Sequence, residues 1–201
     1  MRAVGSSQPR VDAWSKVTGA ARYPGDIDLP DQLWMKILFA GRPHAHIRAL
    51  HTEAAAAAPG VVAVFTARDV PHNAYGLIIA DQPVLCGPLD EVNTQPGSDI
   101  VCFVGDQVAL VVAETAAQAT AALSLIQVDY EDLPIVTDPL RAMQPDSQNV
   151  HPERGSNVVH SYHIRRGDVA SALAAADVVI EQTYTTHAQE HAYLQPEAGV
   201  A

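Results

Sequence analysis

The sequence predicts an α/β fold, and three observations within one stretch predict it. Residues 108–113 (VALVVA) are an unbroken apolar run rich in β-branched side chains, the pattern of a strand buried on both faces. Residues 116–125 are dominated by Ala and Leu, which are strong helix formers. Thr115 precedes them and Gln118 stands three residues on, the spacing of a capping box in which each side chain satisfies a backbone N–H. Residues 127–131 (QVDYE) then alternate and return to strand, and Leu133-Pro134 closes the unit. A strand–helix–strand connection of this length predicts a parallel pair joined by a right-handed crossover.

Composition bounds the rest. Of the 201 residues 48% are hydrophobic, enough for a sizeable core, but only 5% are aromatic, so Val, Leu, Ile and Ala must fill it. The net charge of −11 disfavours nucleic acid and anionic membranes as partners, because phosphate attracts Lys and Arg. Cys86 and Cys102 form no C-x-x-C pattern, which speaks against a disulfide scaffold, a zinc ribbon or an iron–sulfur site on this chain. Two isolated thiols fit a reducing cytoplasm. No stretch approaches the roughly 18–20 apolar residues of a membrane span. The N-terminal residues lack the apolar core of a signal peptide.

The elements follow in order. Residues 1–24 are irregular, with turn-like pieces at Arg10–Asp12 and at 16–19, and 26–31 (DIDLPD) is another turn. Residues 33–40 (LWMKILFA) form the first strand. Thr52 is the N-cap of a short Ala helix at 53–58 that Pro59-Gly60 ends. Residues 61–66 (VVAVFT) form a second buried strand, and 67–70 a single helical turn. The Gly/Pro-punctuated stretch 71–98 is a long irregular connection, of the kind that tends to be functional or interface-forming. Residues 101–103 restart the sheet, and Gly105-Asp106 reads as a two-residue hairpin turn. Asp138 caps a short helix with Pro139 at its first position. Residues 144–157 (QPDSQNVHPERGSN) are the linker. Beyond it, 158–165 alternates as a strand, Gly167-Asp168 caps a helix at 169–175, and 178–186 (VVIEQTYTT) is a β-branched strand. About 45 residues are marginal as an independent domain. They read as the opening of a second domain.

Few constellations carry chemistry by themselves. His187-Ala-Gln-Glu190-His191 has the H-x-x-E-H form of an inverted zinc-protease motif. That chemistry requires a helix, and here a β-branched run leads in and Pro196 follows. On a continuing strand the two imidazoles would stand about 13 Å apart, too far to share a metal. A turn after a strand is the better reading. His44-x-His46 offers a metal pair, but Pro43 favours turn and surface histidines. His151, His160 and His163 flank the linker as solvated or interface residues. Asp129 and Glu131 share one strand face and read as solvated rather than as an acid/base pair. No nucleotide-binding or nucleophile-elbow motif occurs.

Four blocks in register resemble one family. They are 10–23 (RVDAWSKVTGAARY) with 26–30 (DIDLP); 43–47 (PHAHI) with 58–64 (APGVVAV) and 66–71 (TARDVP); 104–115 (VGDQVALVVAET) through 128–134 (VDYEDLP); and 167–169 (GDV), 176–178 (ADV) and 189–198 (QEHAYLQPEA). Together they resemble the start of the large molybdenum subunit of the xanthine dehydrogenase/aldehyde oxidase family. The resemblance implies an α/β-hammerhead domain over 1–143, a linker at 144–157, and over 158–201 the beginning of a molybdopterin-binding domain. The implied fold is thus α/β (α+β). Such enzymes hydroxylate an aldehyde or N-heterocycle carbon with oxygen derived from water, using the molybdenum cofactor. Iron–sulfur clusters and FAD on partner domains carry the electrons away. The resemblance points to Gln189, Glu190, His191 and Tyr193 as cofactor-binding or substrate-adjacent, with no catalytic residue and no metal ligand here. The family's Gly-rich cofactor run and catalytic glutamate have no counterpart in these residues, so this chain alone is expected to be inactive. Its expected partners are the rest of the molybdenum subunit and the iron–sulfur and FAD subunits. Gln195 stands where relatives often carry Glu, while Glu197 remains, and Gly105-Asp-Gln-Val108 replaces the commoner Gly-Glu-Pro-Val. The alternative is a non-catalytic scaffolding module from a split or degenerate subunit.

Overall fold

The computed structural model describes residues 4–77, 79–193 and 197–201. They fall into two compact units, one of residues 31–163 and one of residues 4–30 with 164–201.

The 31–163 unit is built on two three-stranded sheets. Its strands are β1 (Trp34–Phe39), β2 (Ala45–His51), β3 (Val61–Phe65), β4 (Ile100–Val101), β5 (Gln107–Ala113) and β6 (Gln127–Asp132). One sheet has the order β1-β5-β3 and the other β4-β2-β6, and every ladder among the described residues is antiparallel. The parallel β5/β6 pair expected from the sequence does not form. The two strands lie in different sheets, with the helix Ala116–Leu123 between them in the chain. The alternation of QVDYED explains this. A parallel sheet covered on both faces needs a near-continuous apolar strand, whereas a half-polar one suits an antiparallel sheet open to water on one side. In β6 only Val128 and Tyr130 turn inward, opposite Leu50 and Ile47 of β2. Asp129 and Glu131 face solvent, where they contact His51 (3.4 Å) and Arg48 (2.6 Å).

The core is made of small and branched aliphatics, as the composition demands. Ala109, Val111 and Ala113 of β5 pack on Ala119 and Ala122 of the 116–123 helix, with Ala55 and Ile126. A second cluster joins Val108 to Ala40, Ile47, Val101 and Cys86, and Leu38 touches both. β5 is the central strand, yet only one of its faces is closed over. Leu110 and Val112 are half-buried. β3, expected as a buried strand, is instead an edge strand with Val62 and Phe65 exposed.

The helices are α1 (Ala13–Val17), α2 (Glu53–Ala56), α3 (Ala116–Leu123), α4 (Pro139–Ala142) and α5 (Val169–Ala174). Helix α1 lies in a stretch read from sequence as irregular. Asp12 stabilises its start by contacting Arg10 (2.9 Å) and Lys16 (2.6 Å), and these two cations hold its carboxyl below the usual range, Lys16 foremost. Thr115 caps α3 by accepting from the Gln118 N–H (3.2 Å), but only half of the expected capping box forms. The Gln118 side-chain oxygen accepts from the Thr115 hydroxyl (2.8 Å) rather than from a backbone N–H. A Cβ on Gly60, at φ +78°, would collide with that Gln118 side chain. Thr52 stands at the N-cap of α2 without a side-chain capping bond. Asp138 caps α4 by accepting from Leu140 N–H (2.8 Å), and Asp168 caps α5 by accepting from Ser171 N–H (3.2 Å).

The Gly105-Asp106 turn is not a hairpin turn, because β4 and β5 belong to different sheets. It is a connection closed by Asp106, whose carboxylate accepts from the N–H groups of Cys102 (2.6 Å) and Phe103 (3.1 Å). A Cβ at Gly105 would meet the Phe103 ring.

Segments 158–165 and 178–186 are not strands, and no strand pairs with either among the described residues. Their composition suits a strand, but a strand exists only when a neighbour takes its backbone N–H and C=O groups. Val178, Ile180 and Tyr184 are exposed.

Replacing Val111 by Ala is expected to cost about 2 kcal/mol, the loss of two buried methyl groups with partial collapse of the cavity, read as a lower urea midpoint. Burial pushes the Cys86 thiol far up, and its Sγ lies against the Ile100 carbonyl. Alkylation at mildly alkaline pH is therefore expected to spare Cys86 until the unit unfolds, as judged by peptide mass spectrometry.

Candidate functional site

The segment around Gln189 lies in the unit formed by residues 4–30 and 164–201, and its polar groups satisfy one another locally. Gln189 Oε1 lies 3.0 Å from His187 Nε2, and Gln189 Nε2 donates to the Glu190 carbonyl (3.0 Å). Glu190 Oε1 accepts from His191 N–H (3.0 Å) and Ala192 N–H (3.4 Å) and lies 3.4 Å from His191 Nδ1. This tight turn sets Ala192 at φ +47°. Tyr193 stacks obliquely on His191, with ring centroids 5.8 Å apart, and its hydroxyl donates to Glu197 (2.7 Å). That bond raises the phenol above its ordinary range, since the adjacent carboxylate opposes a phenolate. All of these side chains are exposed. Gln195 lies outside the described residues.

The H-x-x-E-H motif has no helix under it. His187 and His191 bond to different neighbours, Gln189 and Glu190. Among the described residues no group of three or more His, Cys, Asp and Glu side chains could hold a metal ion.

His44 and His46 also differ from their expected role. His44 is buried, not a surface residue. It clamps the exit of β6, since its carbonyl accepts from Leu133 N–H (2.9 Å) and its Nδ1 donates to the Pro134 carbonyl (2.7 Å). Its Nε2 is buried without a partner. His46, on β2, points Nδ1 at Asp99 Oδ2 (3.1 Å) outside hydrogen-bonding geometry. The two rings serve separate contacts and make no metal pair.

Sequence reasoning passed over the side chains that order the long 71–98 connection. Asn73 is buried, donates to the Leu85 carbonyl (2.9 Å) and accepts from the Leu85 N–H (2.9 Å). Asn93 donates to the carbonyls of Gly87 (3.1 Å) and Pro88 (3.0 Å) and bonds the buried Ser98 hydroxyl. Two asparagines in a Gly/Pro-rich stretch signal turns, and nothing in the order of residues marks them as buried ties. Residues 144–157 fold back in a similar way. Asn157 accepts from Val150 N–H (2.8 Å) and donates to the carbonyls of Ala142 (3.1 Å) and Gln148 (2.9 Å).

These loops enclose a cleft of about 390 Å³ whose walls include Asp81, Gln82, Phe103, Asp106, His151 and Arg154. Arg154 pairs with Asp81 at 3.0 Å, with both side chains about three-quarters buried. Asp106 is committed to two backbone N–H groups and Asp81 is paired with Arg154, so both carboxylates of the cleft are engaged. These three charged side chains fasten loops. His160 and His163 are exposed, and His160 packs on Tyr162 at 4.1 Å.

Comparison with known proteins places this geometry. The family model "Aldehyde oxidase and xanthine dehydrogenase, a/b hammerhead domain" matches residues 18–134, and the model "Molybdopterin cofactor-binding domain" matches residues 150–201. The chain is 40% identical over 196 residues to a probable xanthine dehydrogenase subunit of Bacillus subtilis, a match covering 97% of this chain and 25% of that protein. It is 34% identical over 199 residues to the nicotinate dehydrogenase large molybdopterin subunit of Eubacterium barkeri, covering 98% of this chain and 44% of that one. Among solved structures, aldehyde oxidoreductase from Desulfovibrio gigas aligns with a TM-score of 0.70 at 30% identity, over 87% of this chain and 19% of that chain. The chain therefore spans less than half the length of these relatives. With the hammerhead model matched across both sheets and the cofactor-domain model directly after it, the chain belongs to the aldehyde oxidase and xanthine dehydrogenase family of molybdenum-dependent oxidoreductases.

Proposed function

We propose that this chain is the N-terminal portion of the molybdenum-binding large subunit of a hydroxylase that oxidises an aldehyde or N-heterocycle with water-derived oxygen. The observation that carries the reading is the succession of two family matches along one chain, hammerhead over 18–134 and molybdopterin-binding over 150–201. The proposed organisation is a hammerhead domain at 1–143, a linker at 144–157 and the opening of the cofactor domain at 158–201. Iron–sulfur clusters and FAD on partner subunits would receive the electrons in the cytoplasm. Among the described residues no helix is long and apolar enough to cross a membrane.

The molybdenum cofactor supplies the two-electron oxidation when bound. This chain's residues would contribute contacts to its organic part. Gln189 presents an amide with both donor and acceptor, and Tyr193 an exposed hydroxyl, the group types that hydrogen-bond a pterin. Both are held by exposed local bonds, which exchange for ligand bonds at little net cost. Glu190 is occupied in shaping the turn through the N–H groups of His191 and Ala192, and is proposed to position its neighbours.

Elemental analysis is expected to find no stoichiometric molybdenum on the 201-residue chain. The longer subunit, matured with molybdenum cofactor, is expected to carry it and to hydroxylate an aldehyde or N-heterocycle. A matured subunit without molybdenum would leave only a scaffolding role. In that subunit Gln189→Ala is expected to lower molybdenum retention by about tenfold, the loss of roughly 1.4 kcal/mol of hydrogen bonding. In the present chain, Glu197→Gln is expected to bring the Tyr193 phenol back down toward the ordinary tyrosine range. The bond to Glu197 persists below that range and is lost as pH rises through the raised value, as read from phenolate absorbance against a Tyr193→Phe control.

A further inference from the structure

The cleft of about 390 Å³ lies wholly within the 31–163 unit, and three stretches of chain meet around it, 80–83, 95–106 and 151–154. Small-molecule pockets span about 300–1,000 Å³. The carboxylates of the cleft are engaged, Asp81 with Arg154 (3.0 Å) and Asp106 with the N–H groups of Cys102 and Phe103. Two neutral groups are not. The Gln82 backbone is fixed by two bonds with Tyr75 (2.8 and 3.1 Å), and the Gln95 carbonyl accepts from Ser98 N–H (3.2 Å). Neither side-chain amide makes a hydrogen bond among the described residues. Neither amide is buried, so both stay open to the water of the cleft. The Phe103 ring lies against Gly105, where a Cβ would strike it, and Phe103 is 57% exposed. Pro83, Pro96 and Ile100 supply apolar wall.

We propose that this cleft binds a small, neutral, planar aromatic amide. The site stands apart from the molybdenum chemistry proposed above. The group types select the ligand class. A carboxamide donates and accepts at once, so its full complement is another amide. An aromatic ring gains by stacking on Phe103, with the proline and isoleucine wall beside it. Charge selects neutrality. An anion would have to displace Asp81 from Arg154 in the presence of the Asp106 carboxylate. A cation would have to displace Arg154 from Asp81, or the two N–H groups from Asp106. Either exchange leaves a partly buried charged group without its partner, which costs more than a neutral hydrogen bond returns. A bound amide joins the three stretches that form the walls.

Three probes that share a phenyl ring and differ in charge provide the test: benzamide, benzoate and benzylammonium. Each is titrated into the 201-residue chain and followed by backbone amide NMR shifts. Benzamide is expected to bind with a Kd of about 1 mM, the range of a small fragment, and to shift the amides of Gln82, Gln95, Gly97 and Phe103. Benzoate and benzylammonium are expected to bind at least about tenfold more weakly. Gln95→Leu removes an amide and Phe103→Ala the ring, and each is expected to raise the benzamide Kd at least about fivefold. Asp129→Asn, on the solvated face of β6, should leave it unchanged. The amide spectrum of β5 in each variant reports whether the unit is folded. Absence of benzamide shifts up to about 10 mM would overturn the proposal. So would equal or tighter binding of benzoate or benzylammonium, shifts confined to residues outside the cleft, or unchanged benzamide binding in both variants. If a variant loses its β5 spectrum, the wild-type shift map and the ranking of the three probes decide.

Discussion

The pairing of strand β5 on both edges is the constraint on which the hammerhead unit depends. Its backbone groups are taken by β1 on one side and β3 on the other. Its side chains Ala109, Val111 and Ala113 carry α3, while Val108 reaches the second cluster around Ile47 and Val101. One strand thus contributes to both cores. The alternation of Ala and Val along it admits close approach of a helix that is itself mostly alanine. The delivery of β5 from β4 is equally exacting. Asp106 ties two N–H groups across the connection, and the Phe103 ring leaves no room for a side chain at Gly105. The short Asp106 side chain reaches both backbone N–H groups.

Away from the sheets, buried amides take the place of ladders. Asn73 gives Leu85 the two bonds that a neighbouring strand would give. Asn93 gathers the carbonyls of Gly87 and Pro88 with Ser98, and Asn157 gathers Ala142, Gln148 and Val150. A carboxamide donates and accepts at once, so one side chain can satisfy backbone groups that irregular chain leaves over. This is how a 28-residue connection without regular structure encloses a cleft, and why the pair Arg154–Asp81 can fasten a distant turn to it.

The second unit shows the opposite condition. Residues 178–186 have the β-branched composition of a strand but no paired strand among the described residues, and the Gln189–Tyr193 turn is held by bonds within a few residues. The outer face of the β1-β5-β3 sheet is similarly open. Both features belong to a chain that spans less than half the length of two of its relatives.

Most element types, the small-residue core and the family are legible in the order of residues. Local chemistry decides them: the β-branched run at 108–113, the Ala-rich helix formers behind Thr115, the caps at Asp138 and Asp168, and four motif blocks in register. Which strands pair is settled only in three dimensions. Both a parallel and an antiparallel sheet are open to a strand–helix–strand segment, and the choice lies in where Asp129 and Glu131 can stay in water. Tertiary packing also makes His44 a buried clamp, turns Asn73 and Asn93 into core ties, and leaves one face of β5 uncovered. Each of these depends on groups far apart in the chain arriving together, and no local pattern encodes that meeting.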